Sequence, residues 1–174
     1  LEEFGIGYPK TADVLYSLLL YCGLFLFFLL LAALVSIMPD PIKEAFASGY
    51  RWKLPRLSSL PLILLFCIIT GYREELFFRS FLLTRFRQLH LPVFIGIGLS
   101  TLLFAAGHLY QGVAGLAVAL IQGLYFSILF VRFKNIHPLA IAHGLYNATV
   151  LIITLFVETE NVGAIYTNLP IELG

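Results

Sequence analysis

Residues Val14 to Met38, VLYSLLLYCGLFLFFLLLAALVSIM, form a run of 25 residues without a single charged side chain. As a helix, such a run rises about 37 Å, more than the roughly 30 Å of hydrocarbon in a bilayer. A soluble domain would have to cover that surface, and the rest of the chain lacks the means. Only 12% of its 174 residues are charged, while 60% are hydrophobic. The run has no small-residue cleavage pattern, so it reads as a spanning helix and not as a signal peptide. Pro39 and Pro41 are expected to stop it. Residue 1 is Leu, as expected of a processed form or a trimmed chain.

Four more apolar segments follow, at about 60–83, 92–109, 113–131 and 138–157. Together they predict an all-α, polytopic transmembrane bundle of about five spans, in one integral membrane domain covering residues 1–174. Residues 39–59 read as a polar connection, with Tyr50 and Trp52 at headgroup depth. The tail, with Glu158, Glu160 and Glu172, reads as exposed. Three residues, Tyr110 to Gly112, separate the third and fourth spans, which favours an antiparallel pair. Gly96, Gly98, Gly112, Gly115 and Gly123 suit close helix approach in lipid. Lys10, Arg85, Arg87, Arg132 and Lys134 would share one side of the membrane, against Lys43, Arg51, Lys53 and Arg56 on the other. This small excess leans toward a cytoplasmic N-terminus. A net charge of +1 gives no reason to expect a nucleic-acid partner. Cys22 and Cys67 both lie in apolar runs and are expected to be thiols without a disulfide.

Against this background the decapeptide GYREELFFRS, residues 71–80, stands out, with Arg73, Glu74, Glu75 and Arg79 inside an apolar segment. Ionisable groups at membrane depth cost about 2.5–3.5 kcal/mol each even on the mild insertion scale, so they are paired or face a cavity. On one helix Glu75 and Arg79 are a turn apart and can pair. Glu74 is turned about 100° away and is left available. Arg73 reads as a residue reaching toward an interface. Such a cluster can serve packing alone, as a buried ion network. The later spans argue against that bland reading: LLFAAGHLY brings His108, and IAHGLYNAT brings His143 and Asn147, four apart on one face. Helix bundles build sites from side chains on facing helices. A carboxylate and an imidazole can hold a water and remove its proton. A second imidazole and an amide can donate to a developing oxyanion. This describes addition of water to a carbonyl. Glu, His and His could also ligate zinc, yet neither HExxH nor a Cys pair is present, so a metal is permitted rather than indicated. His90 and His137 read as interfacial, without chemistry.

EELFFR (Glu74 to Arg79), FAAGH (Phe104 to His108) and HGLYN (His143 to Asn147) match EExxxR, FxxxH and HxxxN, in that order on successive apolar segments. In this the chain resembles the CPBP family of intramembrane proteases, named for CAAX proteases and bacteriocin-processing enzymes. The resemblance covers about residues 60–157 as a catalytic core inside the bundle and leaves the helix at about 14–38 outside it. It implies a glutamate-dependent endopeptidase without a cofactor. By the same resemblance Glu74 and His108 activate water and His143 and Asn147 form the oxyanion hole. Glu75 and Arg79 would be the supporting pair, and Phe104 would pack beside the site. The expected partners are the lipid bilayer and a membrane-anchored or small peptide substrate, of the C-terminal sorting-tail or peptide-maturation type. The compact chain suits a prokaryotic member in the plasma membrane. Two other readings compete. One is a non-catalytic immunity or scaffold protein that keeps the fold. The other is a small proton-coupled carrier, which would show repeats and broken helices, and no repeat is seen.

Overall fold

A computed structural model describes residues 1–47 and 60–167, with side chains described through residue 154. Tyr50, Trp52, the basic residues Arg51, Lys53 and Arg56, and Glu172 lie outside the described residues, as do the side chains of Glu158 and Glu160. Helices account for nearly all of the described chain, and there is no strand among the described residues. The long apolar run forms α1, Thr11–Ser36. Asp13 receives the Lys10 backbone N–H at 2.8 Å, closing the first turn. The predicted polar connection is partly helical: Asp40–Ala47 is a short helix, α2, with Pro41 in its first turn, where the missing N–H is no loss.

Residues 60–88 are helical throughout. Leu60–Glu75 is α3, Leu76–Leu82 is a π-helical stretch, and Leu83–Gln88 is α4. The wide turn begins directly after Glu75. α5, Val93–Ala106, has 14 residues, about 21 Å of rise. That is shorter than a bilayer's hydrocarbon, whereas the sequence suggested a full span. α6 is Gly112–Phe133, and α7, Ile136–Thr167, continues ten residues past its expected end. By length and composition three helices can cross a membrane: Thr11–Ser36, Leu109–Phe133 and Ile136–Thr154. Their exposed Leu, Phe, Val and Ile side chains form a surface suited to lipid and not to water. The protein is an all-α membrane helix bundle.

α7 is the hub. It packs antiparallel to α3, and against α1, while α5 and α6 form the antiparallel pair anticipated from their short connection. Gly112, in that connection, has φ 77°, a conformation costly for residues with a Cβ. α1 braces α7 through the Tyr21 and Thr149 hydroxyls at 2.8 Å and the Phe28 and Tyr146 rings, 5.2 Å apart. At one end of the bundle the N-terminal residues cross over the ends of α4 and α7. Ser80 Oγ donates to the Phe4 carbonyl at 2.5 Å, and the Ile136 N–H donates to that of Gly5 at 3.1 Å. This places the N-terminus beside Arg87 and the α6–α7 turn, the grouping that alternation of five spans implies.

Of the five glycines singled out, Gly123 makes a close approach between helices, since a Cβ there would lie 3.2 Å from both Phe104 and Thr101. Gly96 sits at ordinary contact distance from Phe86. Gly98 has nothing within 4 Å and so serves no helix approach, and the nearest atoms to a Cβ on Gly115 belong to Gln111, one turn before it. The tightest crossing lies elsewhere, where Gly71 of α3 meets Gly144 of α7. A Cβ on Gly71 would lie 2.8 Å from the Gly144 nitrogen, and one on Gly144 would lie 2.8 Å from the Ile68 Cα.

Candidate active site

The Gly71–Gly144 crossing brings two backbones together immediately beside Glu74, Glu75 and His143. Glu75 and His143 are buried and meet directly. The His143 Nδ1–H donates to Glu75 Oε1 at 2.8 Å, because a carboxylate oxygen can only accept. The same oxygen lies 3.0 Å from Arg79 Nη1, and both side chains are fully buried. Glu75 and Arg79 therefore pair as their spacing implied. The pairing is an ion contact without an aligned hydrogen bond: the Arg79 nitrogens have no hydrogen-bond partner among the described residues. The guanidinium instead lies over the Phe104 ring, 4.3 Å from its centroid, where the ring's negative face receives it. Phe104 is fully buried and also meets His143 edge-on, with centroids 5.8 Å apart.

Glu74 points the other way, as its rotation about the helix requires, yet it does not leave the imidazole. Its Oε2 lies 3.5 Å from His143 Nε2. His143 thus stands between the two carboxylates, a bridge that spacing along one helix cannot reveal. With Nδ1–H committed to Glu75, Nε2 is the nitrogen left to exchange a proton on the Glu74 side. The other Glu74 oxygen is 3.0 Å from Arg73 Nη2.

Glu74 lines an open cleft of about 450 Å³, together with Arg73, Phe77, Phe78, Phe104, Gly107, His108 and Tyr110. His108 is fixed at the end of α5 by its Nδ1–H, which donates to the Phe104 carbonyl at 2.9 Å and turns Nε2 away from its own helix. Its ring packs on Phe104, centroids 4.6 Å apart. Glu74, His108 and Phe104 therefore share the cleft, with His143 buried behind Glu74. Asn147 is half-buried one turn along α7 and is not among the lining residues. Two participants were not singled out from the sequence as part of the site. Phe126 of α6 stacks on His143 at 5.7 Å, and Arg73 lines the cleft. Gly71 and Gly144 were also missed, although each lies within three residues of a motif residue. Among the described residues no group of three His, Cys, Asp or Glu side chains is placed to hold a metal ion. His137, read as interfacial, is a structural link: Nε2–H donates to the Gly7 carbonyl at 2.9 Å, and Nδ1 accepts from the Tyr72 hydroxyl at 3.1 Å.

The site is thus a set of buried Glu, Arg and His side chains beside an open cleft in a membrane helix bundle. The profile of the type II CAAX prenyl endopeptidase Rce1-like family matches residues 56–149, over half the chain and all three motifs, and the protein belongs to that family. Membership places it with CAAX-type intramembrane endopeptidases at the level of class. No curated protein and no solved structure gives a significant match.

Proposed function

We propose that the protein is a glutamate-dependent intramembrane endopeptidase that hydrolyses a peptide bond of a membrane-anchored protein or small peptide. A C-terminal sorting tail or a peptide undergoing maturation is the substrate type we favour, in a prokaryotic plasma membrane. One observation carries the reading: Glu74 lines the open cleft with His108, while its Oε2 faces His143 Nε2 at 3.5 Å. Glu74 takes a proton from a water oriented by His108 as the water oxygen bonds to the scissile carbonyl carbon. The oxyanion formed is held by His143 as the imidazolium, which keeps Nδ1–H on Glu75 and donates from Nε2, and by the Asn147 amide, one turn further along α7. Collapse breaks the C–N bond, the proton held by Glu74 passes to the departing nitrogen, and a carboxylate and an amine leave. Glu75 and Arg79 keep His143 in place. No metal takes part in these steps.

The test compares the N- and C-terminal peptides of membrane and secreted proteins by mass spectrometry, in cells carrying wild type or Glu74→Gln at equal abundance. Termini found only with wild type support the reading. Identical termini across conditions would favour a non-catalytic membrane partner.

A further inference from the structure

Arg73 is the one permanently cationic side chain among the described residues lining the cleft. Its side chain is 72% exposed, whereas that of Glu74 is 16% exposed. Exposed ion pairs contribute little to stability, about 0–1 kcal/mol, so folding gives a weak account of Arg73. Its geometry matters more. Nη2 occupies Glu74 Oε1 at 3.0 Å while His143 Nε2 faces Oε2 at 3.5 Å, so both oxygens of the proposed base have a neighbour before any peptide enters. A water that is to give up its proton needs one of them. The remaining walls are largely aromatic, with Phe77, Phe78, Phe104 and Tyr110 offering rings to apolar side chains. The cleft therefore presents one exchangeable positive charge in an aromatic surround.

We propose that Arg73 is a specificity-determining latch: an anionic group on the peptide draws the guanidinium off Glu74, frees Oε1 for the water, and is held in its place. A guanidinium receives a carboxylate through two parallel N–H donors, so the exchange trades one charge-assisted contact for another. An extended residue spans about 3.3–3.6 Å, so an anion beside Glu74 lies within about two residues of the bond attacked. The substrate class is thus an apolar peptide with a carboxylate close to the scissile bond, contributed by a chain terminus or by an acidic side chain. This inference rests on the proteolytic reading given above.

The probe is a peptide spanning a cleavage site identified by the comparison of termini, made in three forms. One has a free C-terminal carboxylate near the bond, one is amidated, and one is amidated with a Glu beside the bond. Cleavage is measured with purified wild type, Arg73→Gln and Arg73→Lys in bilayers. Wild type should prefer an anionic form over the neutral form by about tenfold or more in kcat/KM, the worth of one charged hydrogen bond. Arg73→Gln should bring that ratio close to one, and Arg73→Lys should restore part of it. Which anionic form is preferred tells a terminus from a side chain. Equal rates on all three peptides with wild type, or a preference that survives Arg73→Gln, would overturn the latch while leaving proteolysis standing. If no cleavage site depends on Glu74, the proteolytic reading fails and the latch with it.

Discussion

Replacing Gly144 by Ala should disable the site without touching any group that does chemistry. The added Cβ would lie 2.8 Å from the Ile68 Cα and 3.0 Å from the Cys67 carbonyl oxygen, both backbone atoms of α3 that cannot swing aside. Carbon atoms settle at about 3.5–4.0 Å, so α3 must retreat by about 0.7 Å or more. Carried to the neighbouring contact, that shift stretches the 2.8 Å bond between His143 and Glu75 to about 3.5 Å, the outer edge of hydrogen bonding. Overpacking of this kind costs about 1–3 kcal/mol, and weakening a charged hydrogen bond adds about 1–2 more. Helix propensity works the other way, since Ala is better than Gly by about 1 kcal/mol. Crowding wins, and the net loss is about 1–4 kcal/mol. A misplacement near 1 Å costs roughly a hundredfold in rate. Gly98→Ala is the matched control, with nothing within 4 Å of its Cβ, and should be neutral or slightly stabilising. Unfolding by SDS in mixed micelles, read beside peptide cleavage, separates the two variants. Equal stability and equal cleavage for Gly144→Ala and Gly98→Ala would show that this crossing does not set the site.

Other substitutions separate support from chemistry. Arg79→Ala strands the buried Glu75 charge, and breaking a buried pair costs about 3–5 kcal/mol. The amount of folded protein in the membrane should fall sharply, measured by quantitative immunoblot. His108→Ala removes a cleft-lining imidazole that is hydrogen-bonded to the Phe104 carbonyl just behind it in the chain, so the protein should accumulate normally while cleavage falls by about a hundredfold or more. The N-terminal crossing should depend on pH. The Gln88 amide, donating at 3.0 Å, and Arg87, at 3.2 Å, hold the Glu3 carboxyl below the usual glutamate range. A lowered folded pKa gives a contribution present above the unfolded value of about 4.3 and lost as pH falls through the folded one. Amide-exchange protection factors in residues 1–9, taken against the intrinsic rate at each pH, should therefore fall below about pH 4 and stay level between about pH 5 and 7. Loss of protection already at pH 6 would assign the crossing to other groups.

How much of this was legible in the sequence follows from which forces act locally. Apolar runs mark α1, α6 and α7 because lipid demands them, and the spacing of Glu75 and Arg79 told of their pairing because one helix carries both. The pairing also survives the wide π-helical turn, which no residue pattern announced. His143 between two carboxylates was not legible, because the bridge is a product of two helices crossing. Nor was the crossing itself: Gly71 and Gly144 are ordinary in composition, and only the backbone distance shows that they are required. Conversely, Gly98 matched a small-residue rule for helix approach and meets nothing within 4 Å, since the rule does not say which way a residue faces. Arg73 reads from the sequence as a residue reaching toward an interface, because a long charged side chain can extend back to water. Its place in the cleft emerged only with α5 packed against the π-helical stretch, which brings His108 among the same lining residues.

Hydrolysis in water enriched in oxygen-18 tests the assignment of Glu74 most directly. Purified protein in bilayers would be given a peptide that spans a bond found cleaved in cells, with wild type and Glu74→Gln matched for folded amount. Wild type should place one heavy oxygen in the new carboxylate, and Glu74→Gln should release no product above the protein-free control. Equal release of labelled product by the two forms would show that another group activates the water.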